Sequence, residues 1–350
     1  MVKPRSTELL DWYNNNARIL PWRVPPLKGK EVLLPDPYLV WISEIMLQQT
    51  VVATVIPYFV KFIKQWPSVE KLANADLNSI LQAWSGLGYY TRARNLHKCA
   101  RIIVEQYDGG FPNSEEKLLM LPGIGPYTAS AILAIAFEKP ATVVDGNVER
   151  VITRLFAIKG RTPEVKSKIK SLASELTPNH RYGDYAQAIM DLGATICTPR
   201  SPKCIDCPWL GACKARALSI ENYLPNRSPR KKKVVRKGLA FLVVRTDGAI
   251  LLRRRPEQGL LGGMMEVPST NWVESGLLNM SEAPSGLDWQ ELTGKVMHTF
   301  THFKLELKGY QSIASKGHEL KGLWVLPEKL EEQALPTLTK KIIKHANLGL

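Results

Sequence analysis

Apolar residues recur at helical spacing through the first 225 residues of the chain. Residues 6–20 show this pattern, and residues 38–49 form a second segment that Asp36 would cap and Pro37 would start. Further helices are predicted over 51–66, 76–83, 128–137 and 146–158. The segment 128–137 consists of small and apolar residues, so we expect its helix to be buried.

The pattern changes in the last part of the chain. The segment GLAFLVVRTDGAILLRRR contains two apolar runs that meet at Asp247-Gly248, which predicts a β-hairpin. The later segment FTHFKLELKGYQSI is also strand-like. We therefore predict a helical domain over residues 1–225 and a strand-containing domain over residues 238–350, joined by a linker over residues 226–237.

Composition agrees with two folded domains and points to a polyanionic partner. The 350 residues are 45% hydrophobic, and no stretch reaches the about 18 apolar residues of a membrane helix. The N-terminus lacks the apolar core of a signal peptide, so a cytoplasmic location without a membrane partner is expected. The net charge of +15 favours nucleic acid as the binding partner. The linker has seven Lys or Arg and no acidic residue, so a solvated connector and a phosphate-binding segment both stay open.

Two carboxylates stand out in the helical part. Glu44 lies off the apolar stripe of its helix, on the side shared by Gln48, and a solvent-facing position is the simplest alternative. Asp145 is placed to cap the helix over 146–158, which is compatible with chemistry because a carboxylate held by backbone N–H groups stays ionised. Two acids suit cleavage of a glycosidic bond, in which one protonates the leaving base and the other stabilises a sugar oxocarbenium ion.

Two glycine-containing turns lie between these acids. Gly123 and Gly125 permit a tight turn before a helix whose first N–H groups can bind a phosphate. An earlier turn precedes Tyr89, Arg92 and Arg94, a combination that suits an aromatic wedge in a base stack beside guanidiniums on phosphates. The alternative is a helix start with Tyr89 and Tyr90 packed in the core.

Four cysteines form a third candidate site. Cys197, Cys204, Cys207 and Cys213 follow the spacing C-x6-C-x2-C-x5-C, which fits one four-thiolate metal site. Structural zinc more typically has two C-x-x-C pairs, so an iron–sulfur cluster is favoured. Disulfides are not expected in a reducing cytosol, and Cys99 is expected to be a buried small residue.

Together these segments resemble the helix-hairpin-helix DNA glycosylase superfamily, in its endonuclease III-like branch, and within it the adenine-specific MutY type. The matching motifs are SEIMLQQT, GLGYYTRARNLH, LPGIGPYTA, VDGNVERV and the cysteine spacing. The resemblance implies an all-α glycosylase domain with one 4Fe-4S cluster in the loop 197–213, followed by a nudix-like α/β domain. It covers residues 8–225 densely and the last third more thinly.

The resemblance also implies a role for individual residues. Glu44 would protonate adenine, Asp145 would stabilise the cation, and Asn147 would help at the sugar. Tyr127 occupies the position of a nucleophilic lysine in bifunctional relatives, so a monofunctional enzyme without efficient strand cleavage is expected. Trp22, Arg23 and Gln187 would bind the adenine. Gln48 and Tyr89 would fill the gap that the flipped base leaves. Gly123 and Gly125 would bind a DNA phosphate. The segment 24–38 is longer than is usual in the family.

The C-terminal domain resembles the nudix-like domain with which adenine glycosylases recognise 8-oxoguanine. It lacks an R-E-x-x-E-E run, which favours binding over hydrolysis, and the recognition loop matches Phe300, Thr301 and His302, with threonine where serine is common. Alternatively, Phe300, His302 and Lys304 lie on one face of a strand. We expect a monomer that removes adenine opposite 8-oxoguanine, and opposite guanine, from double-stranded DNA. The rival interpretations are a thymine-mismatch glycosylase and a non-catalytic DNA-binding protein.

Overall fold

The chain divides into two compact units. A computed structural model describes residues 2–26, 33–226 and 232–346, and the structural statements below concern these residues. The first unit contains residues 1–74 and 98–229, and the second contains residues 75–97 and 230–350. Residues 27–32 of the long segment 24–38 and residues 227–231 of the basic linker lie outside the described part.

Helices dominate the first unit. In chain order the helices of the two units are α1 (Ser6–Asn16), α2 (Pro37–Leu47), α3 (Val52–Gln65), α4 (Val69–Ala73), α5 (Leu77–Ala83), α6 (Thr91–Tyr107), α7 (Glu115–Leu119), α8 (Pro126–Phe137), α9 (Gly146–Leu155), α10 (Thr162–Leu176), α11 (Tyr182–Asp191), α12 (Lys214–Ala217) and α13 (Thr337–His345). None of these described helices has the length and apolar character needed to cross a bilayer.

Helix α2 begins and is buried for reasons visible in its sequence. The Asp36 carboxylate accepts a hydrogen bond from the backbone N–H of Tyr38, and Pro37 occupies the first turn, as predicted. The expected apolar stripe is buried, but so are Val40, Ser43, Glu44 and Met46 on the other sides. The prediction of a one-sided amphipathic helix is therefore wrong, because neighbouring helices cover α2 all round.

The core of the first unit forms around α8. This helix packs against α2 and α11, and α1 packs on α11. Its small residues are buried as predicted. A Cβ atom on Gly183 of α11 would lie 2.9 Å from the carbonyl oxygen of Ala134, so only glycine permits this close approach of α11 to α8. The predicted helix over 6–20 ends earlier, at Asn16, and residues 17–20 are not helical.

A mixed sheet forms the second unit. Its strands are β1 (Val234–Arg245), β2 (Ile250–Arg254), β3 (Met265–Glu266), β4 (Gln290–Glu291), β5 (Val296–Thr299), β6 (Phe303–Ala314) and β7 (Leu323–Val325). Strand order is β3-β2-β1-β6-β4, with β5 also paired to β6 and β7 to β2. The pair β1–β6 is parallel, and the hairpin β1–β2 turns at Asp247-Gly248 as predicted. Leu338 and Ile342 of α13 join the strands' apolar core, and the predicted helical-then-α/β architecture is confirmed.

Residues 75–97 pack with this sheet unit although they come from the helical part of the sequence. The hydroxyl of Ser85 donates a hydrogen bond to the carbonyl oxygen of Leu335 at 2.5 Å. The side-chain amide of Gln82 donates a hydrogen bond to the carbonyl oxygen of Glu331 at 3.0 Å. The guanidinium of Arg94 donates to the carbonyl oxygen of Gly262. These bonds hold α5, the turn before α6 and the start of α6 against the segment before α13 and the loop between β2 and β3.

Candidate active site

A cavity of ≈ 820 Å³ opens in the first unit, between the segment before α2, α2 itself, the start of α8, the segment before α9, and α11. Its walls bring together eight of the predicted site residues, namely Trp22, Arg23, Glu44, Gln48, Tyr127, Asp145, Asn147 and Gln187. These residues come from distant parts of the sequence, so the fold assembles the site. The cavity is large enough for a purine base with its sugar.

Glu44 is the buried acid of this cavity. It is 5% exposed, and its Oε2 accepts a hydrogen bond from the Tyr127 hydroxyl at 2.7 Å. Burial raises the pKa of Glu44 to about 7, against the opposing effect of the Tyr127 hydrogen bond, and Asp145 adds to the rise. The solvent-facing alternative for Glu44 is therefore wrong. A carboxyl group with this pKa can hold a proton at neutral pH and release it to a bound base.

Tyr127 lies at the start of α8, where Gly125 and Pro126 direct the chain into the helix. Its hydroxyl oxygen also lies 3.5 Å from the sulfur of Met190. Burial raises the pKa of Tyr127 well above its ordinary value, and the negative charges of Glu44 and Asp145 act in the same direction. The residue is therefore a neutral phenol that donates a hydrogen bond to Glu44.

Asp145 is both a helix cap and a cavity residue. Its Oδ1 accepts from the backbone N–H groups of Asn147 at 2.9 Å and Val148 at 2.7 Å, as the capping prediction required. Its Oδ2 accepts from the side-chain amide of Asn147 at 2.8 Å. These donors hold the carboxylate in one orientation beside the cavity.

Arg150, which the sequence did not single out, holds Asn147 and thereby the Asp145 carboxylate in place. Its Nη2 donates to Asn147 Oδ1 at 2.9 Å and to the carbonyl oxygen of Gly193 at 2.6 Å, and its Nε donates to the carbonyl oxygen of Cys197 at 2.7 Å. Gly193 packs directly on Asn147, since a Cβ there would lie 2.6 Å from that of Asn147. Arg150 thus connects the start of the cysteine loop to the Asn147–Asp145 pair.

The other predicted cavity residues are firmly packed. Trp22 is 6% exposed and meets the ring of Phe59 edge-on at 5.2 Å between centroids. The side-chain amide of Gln187 donates to the carbonyl oxygen of Gly183 at 3.2 Å, and that of Gln48 to the Thr128 hydroxyl at 3.4 Å. Gln48 caps the end of α2 instead of continuing the helix.

Arg23 belongs to a charged group that the sequence did not reveal. The carboxylate of Asp191, at the end of α11, accepts from Arg23 Nη1 at 2.7 Å and from Arg18 Nε at 2.6 Å. The side chain of Asp191 is 0% exposed, whereas that of Arg18 is 27% exposed and lines the cavity. Partners separated by 173 residues give no local signal in a single sequence.

In the predicted turn before α8, one of the two glycines has a backbone conformation that favours glycine. Gly123 has φ of +82°, in the region that favours glycine, whereas Gly125 has φ of −100° and ψ of 179°, which any residue adopts. Of the two glycines, only Gly123 therefore has a backbone conformation that other residues rarely adopt. A Cβ on Gly125 would meet no atom of the protein within 4 Å, so its backbone is open to a ligand from outside.

Tyr89 and the predicted recognition loop meet in the second unit. Phe300, Thr301 and His302 form the turn between β5 and β6, not a run along one strand, so the strand alternative is wrong. The hydroxyl of Tyr89 lies 2.6 Å from that of Thr301. Phe300 stacks on Trp272 at 5.7 Å between centroids.

The buried-tyrosine alternative holds for one tyrosine of this turn and fails for the other. Tyr90 is 5% exposed, but Tyr89 is 43% exposed and has a positive φ of 49°. The expectation that Arg92 and Arg94 contact phosphates is wrong, because both are more than nine-tenths buried. The Arg92 guanidinium lies over the rings of Trp84 and Tyr89 and so fixes the turn.

The four cysteines of the loop 197–213 are all unpaired and half-buried. Burial raises the pKa of Cys207 to about 12, and the three other thiols act on it in the same direction. Arg154 donates to the sulfur of Cys197 at 3.3 Å. Within the described residues, no three Cys, His, Asp or Glu side chains are gathered closely enough to hold a metal ion. The donor chemistry fits a four-thiolate cluster, although the thiols are not drawn together.

Comparison with known proteins finds a matching family for the helical part of the chain and for the strand-containing part. A family model for "HhH-GPD superfamily base excision DNA repair protein" matches residues 42–178, and one for "NUDIX domain" matches residues 239–345. The chain is 36% identical to the adenine DNA glycosylase of Homo sapiens over 96% of this chain and 72% of that protein. It is 33% identical to the adenine DNA glycosylase of Buchnera aphidicola (strain Bp) over 96% of this chain and 94% of that protein.

A solved thymine-DNA glycosylase resembles the helical part. That thermostable protein is 30% identical with a TM-score of 0.53, and the match covers 95% of its chain but 61% of this one. The adenine-specific relatives therefore account for more of the sequence than the thymine-specific structure does.

Proposed function

The chain belongs to the adenine DNA glycosylase family, and on that premise we propose which mispair it acts on and which residues perform the reaction. Membership makes it a base-excision repair enzyme that removes adenine from DNA, and the predicted superfamily is confirmed. The observation that carries the proposed mechanism is the buried Glu44, whose pKa burial raises to about 7, in one cavity with Asp145.

The reaction we propose is hydrolysis of the bond between adenine and the sugar. Adenine leaves the helix and enters the cavity. The proton of Glu44 moves to a ring nitrogen of adenine, and the electron pair of the glycosidic bond goes to the base as that bond breaks. The sugar becomes an oxocarbenium ion, whose positive charge the fixed carboxylate of Asp145 stabilises. Water then adds to the sugar carbon and gives up a proton to the Glu44 carboxylate, which returns the acid to its starting state.

Tyr127 supports a monofunctional reaction. An attack that forms a Schiff base needs an amine, and a neutral phenol whose pKa burial raises well above its ordinary value supplies neither an amine nor a phenolate. We therefore infer that the product is an abasic site in an intact strand. The hydrogen bond from Tyr127 to Glu44 gives the phenol a different task, which is to orient the acid.

We propose that duplex DNA with adenine opposite 8-oxoguanine or guanine is the substrate, bound by a monomer. The exposed Gly123 and the open backbone at Gly125 support phosphate binding at the start of α8. Gln48 lines the cavity, and Tyr89 is exposed beside the β5–β6 turn. This placement supports filling of the gap that the flipped adenine leaves.

The hydroxyl pair Tyr89–Thr301 supports recognition of 8-oxoguanine by the β5–β6 turn. Two hydroxyls 2.6 Å apart on an exposed turn can share donors and acceptors with a base that carries extra polar groups. Lys233 Nζ donates to the carbonyl oxygen of Phe300 at 2.7 Å, which helps to fix the turn. His302 lies exposed at the same turn.

Replacing Thr301 with valine is expected to reduce the preference for 8-oxoguanine over guanine by about three- to tenfold. Valine keeps the shape but removes the hydroxyl, and one hydrogen bond contributes about that factor. Single-turnover rates of adenine release from the two duplexes measure the preference. The matched control is Thr299→Val on the adjoining strand, which should keep the wild-type preference. An unchanged preference in Thr301→Val would contradict the assignment of the turn.

We further propose that the loop 197–213 holds one 4Fe-4S cluster on Cys197, Cys204, Cys207 and Cys213. Four free thiols in one loop are the donor type that such clusters use. Arg150 and Arg154 bind carbonyl oxygens at the start of the loop. When bound, the cluster would order the loop and thereby steady Arg150.

Purified protein is expected to contain about four iron and four sulfide ions per chain, and Cys207→Ser is expected to lose most of both. Iron and acid-labile sulfide are measured together with zinc on the folded fraction. Cys99→Ser is the matched control, because Cys99 is buried in a helix outside the loop. Stoichiometric zinc without sulfide would overturn the cluster.

A further inference from the structure

Asp191 is a buried carboxylate without a role in the mechanism so far. Its side chain is 0% exposed at the end of α11, and its oxygens accept from the Arg18 backbone N–H at 3.1 Å, Arg18 Nε at 2.6 Å and Arg23 Nη1 at 2.7 Å. Burial alone would lower the pKa of Arg23, but Asp191 raises it above its ordinary value. Arg23 is therefore charged, and Asp191 holds both arginines in the cavity wall.

The backbone around Asp191 places the carboxylate at this position. Helix α11 continues into a π-helix over Leu192–Ile196, and the Thr195 hydroxyl donates to the carbonyl oxygen of Asp191 at 2.8 Å. Such widened turns often occur at functional sites. The turn that carries Asp191 follows Gln187 and Met190, which line the same cavity.

The titratable groups around Glu44 come from several elements. Tyr127 from α8, Asp145 from before α9 and Arg23 from before α2 act on Glu44, whereas α11 presents the uncharged Gln187 and Met190. Burial and Asp145 raise the pKa of Glu44, while Tyr127 and Arg23 lower it. Arg23 is thus the cation that works against a protonated Glu44.

Asp191 offsets this cation. Arg18, Arg23 and Asp191 together carry one net positive charge, and without the carboxylate they would carry two. Tyr13 of α1 is a further titratable neighbour of the group; burial raises its pKa, so it stays neutral, and Asp184, which pairs with Arg181, also acts on it.

We propose that Asp191 is a positioning residue for the base-release reaction: it fixes Arg18 and Arg23 in the cavity wall and balances their charge, so that Glu44 keeps its proton at neutral pH. The inference rests on the proposed function, because it takes Glu44 as the proton donor. Two held guanidiniums would also present donors to the ring nitrogens of adenine.

The sign of the expected pH effect follows from the charge. Release requires protonated Glu44, so the wild-type rate is highest at low pH and falls as pH rises through about 7. Asp191→Asn leaves two cations unbalanced, which favours ionised Glu44 and moves the midpoint of this fall down by about one pH unit. Arg18→Gln removes one cation and moves the midpoint up. Asp191→Glu keeps the charge and should keep the wild-type midpoint.

The test is the single-turnover rate of adenine release from a duplex with adenine opposite 8-oxoguanine, between pH 5.5 and 9, with enzyme in excess. Rate constants report only on the folded, active fraction, so partial misfolding of a variant does not enter the midpoint. Asp184→Asn is the matched control, because it removes a second buried carboxylate from α11, which pairs with Arg181 and contacts neither Arg18 nor Arg23 in any described hydrogen bond or ion pair. Its midpoint should equal that of the wild type.

Opposite shifts for Asp191→Asn and Arg18→Gln support the proposal. Wild-type midpoints in both variants, or a rate lowered equally at every pH, overturn it while the proposed function stands. If Asp191→Asn does not fold, Arg18→Gln decides alone, since Arg18 is partly exposed, and an unmoved midpoint overturns the proposal. Failure of the wild type to release adenine from this duplex would instead overturn the proposed function.

Discussion

Glu44→Gln is expected to lower the rate of adenine release by about 10²- to 10⁴-fold and to leave DNA binding within a few-fold of the wild type. Glutamine has nearly the same shape as glutamic acid, and its carbonyl oxygen can still accept the hydrogen bond from Tyr127. An amide, however, cannot transfer a proton to the leaving base. The loss should therefore fall on the chemical step.

Single-turnover rates and duplex binding measured on the same protein separate these two effects. Glu149→Gln is the matched control, because Glu149 lies in the first turn of α9 near Lys166 and outside the cavity lining. This control should release adenine at the wild-type rate. A Glu44→Gln variant that releases adenine as fast as the wild type would refute the role of Glu44 as proton donor.

Asp145→Asn is expected to lower the release rate by about 10²- to 10³-fold with little change in stability. Asparagine caps helices about as well as aspartate, so its carbonyl oxygen can still accept from the N–H groups of Asn147 and Val148. The negative charge that stabilises the sugar cation is lost. A fixed ionic group beside a developing charge in a water-poor cavity has a large effect on the rate.

The measurement pairs the single-turnover rate with the thermal unfolding midpoint. Asp76→Asn changes an equivalent cap, on α5, where the carboxylate accepts from the backbone N–H of Ser79. Both variants should unfold within a few degrees of the wild type, but only Asp145→Asn should lose activity. Near-wild-type release by Asp145→Asn would show that the residue is a cap and no more.

Much of the fold was predictable because local patterns determine it. The N-cap at Asp36, the cap at Asp145 and the hairpin turn at Asp247-Gly248 all lie where the sequence places them. The burial of Glu44 was not predictable from helical periodicity, because periodicity shows which residues share a side of α2 and not which helices cover it. The resemblance to a family supplied that step.

The rest of the site depends on contacts between distant residues. Arg18 and Asp191 are 173 positions apart, and Arg150 meets Cys197 across 47 positions. Neither pair belongs to a short motif, so a single sequence gives no signal for them. The packing of residues 75–97 with the C-terminal strands was missed for the same reason, since their sequence continues the helical pattern.

The central claim is most directly tested by a comparison of duplexes that contain adenine opposite 8-oxoguanine, adenine opposite guanine, or thymine opposite guanine. Each is incubated with the protein, the free base is identified, and the strands are analysed with and without hot alkali. The account predicts free adenine from the first two duplexes, fastest opposite 8-oxoguanine, and strand breaks only after alkali. Release of thymine instead of adenine, or strand breaks without alkali at the rate of base loss, would contradict it.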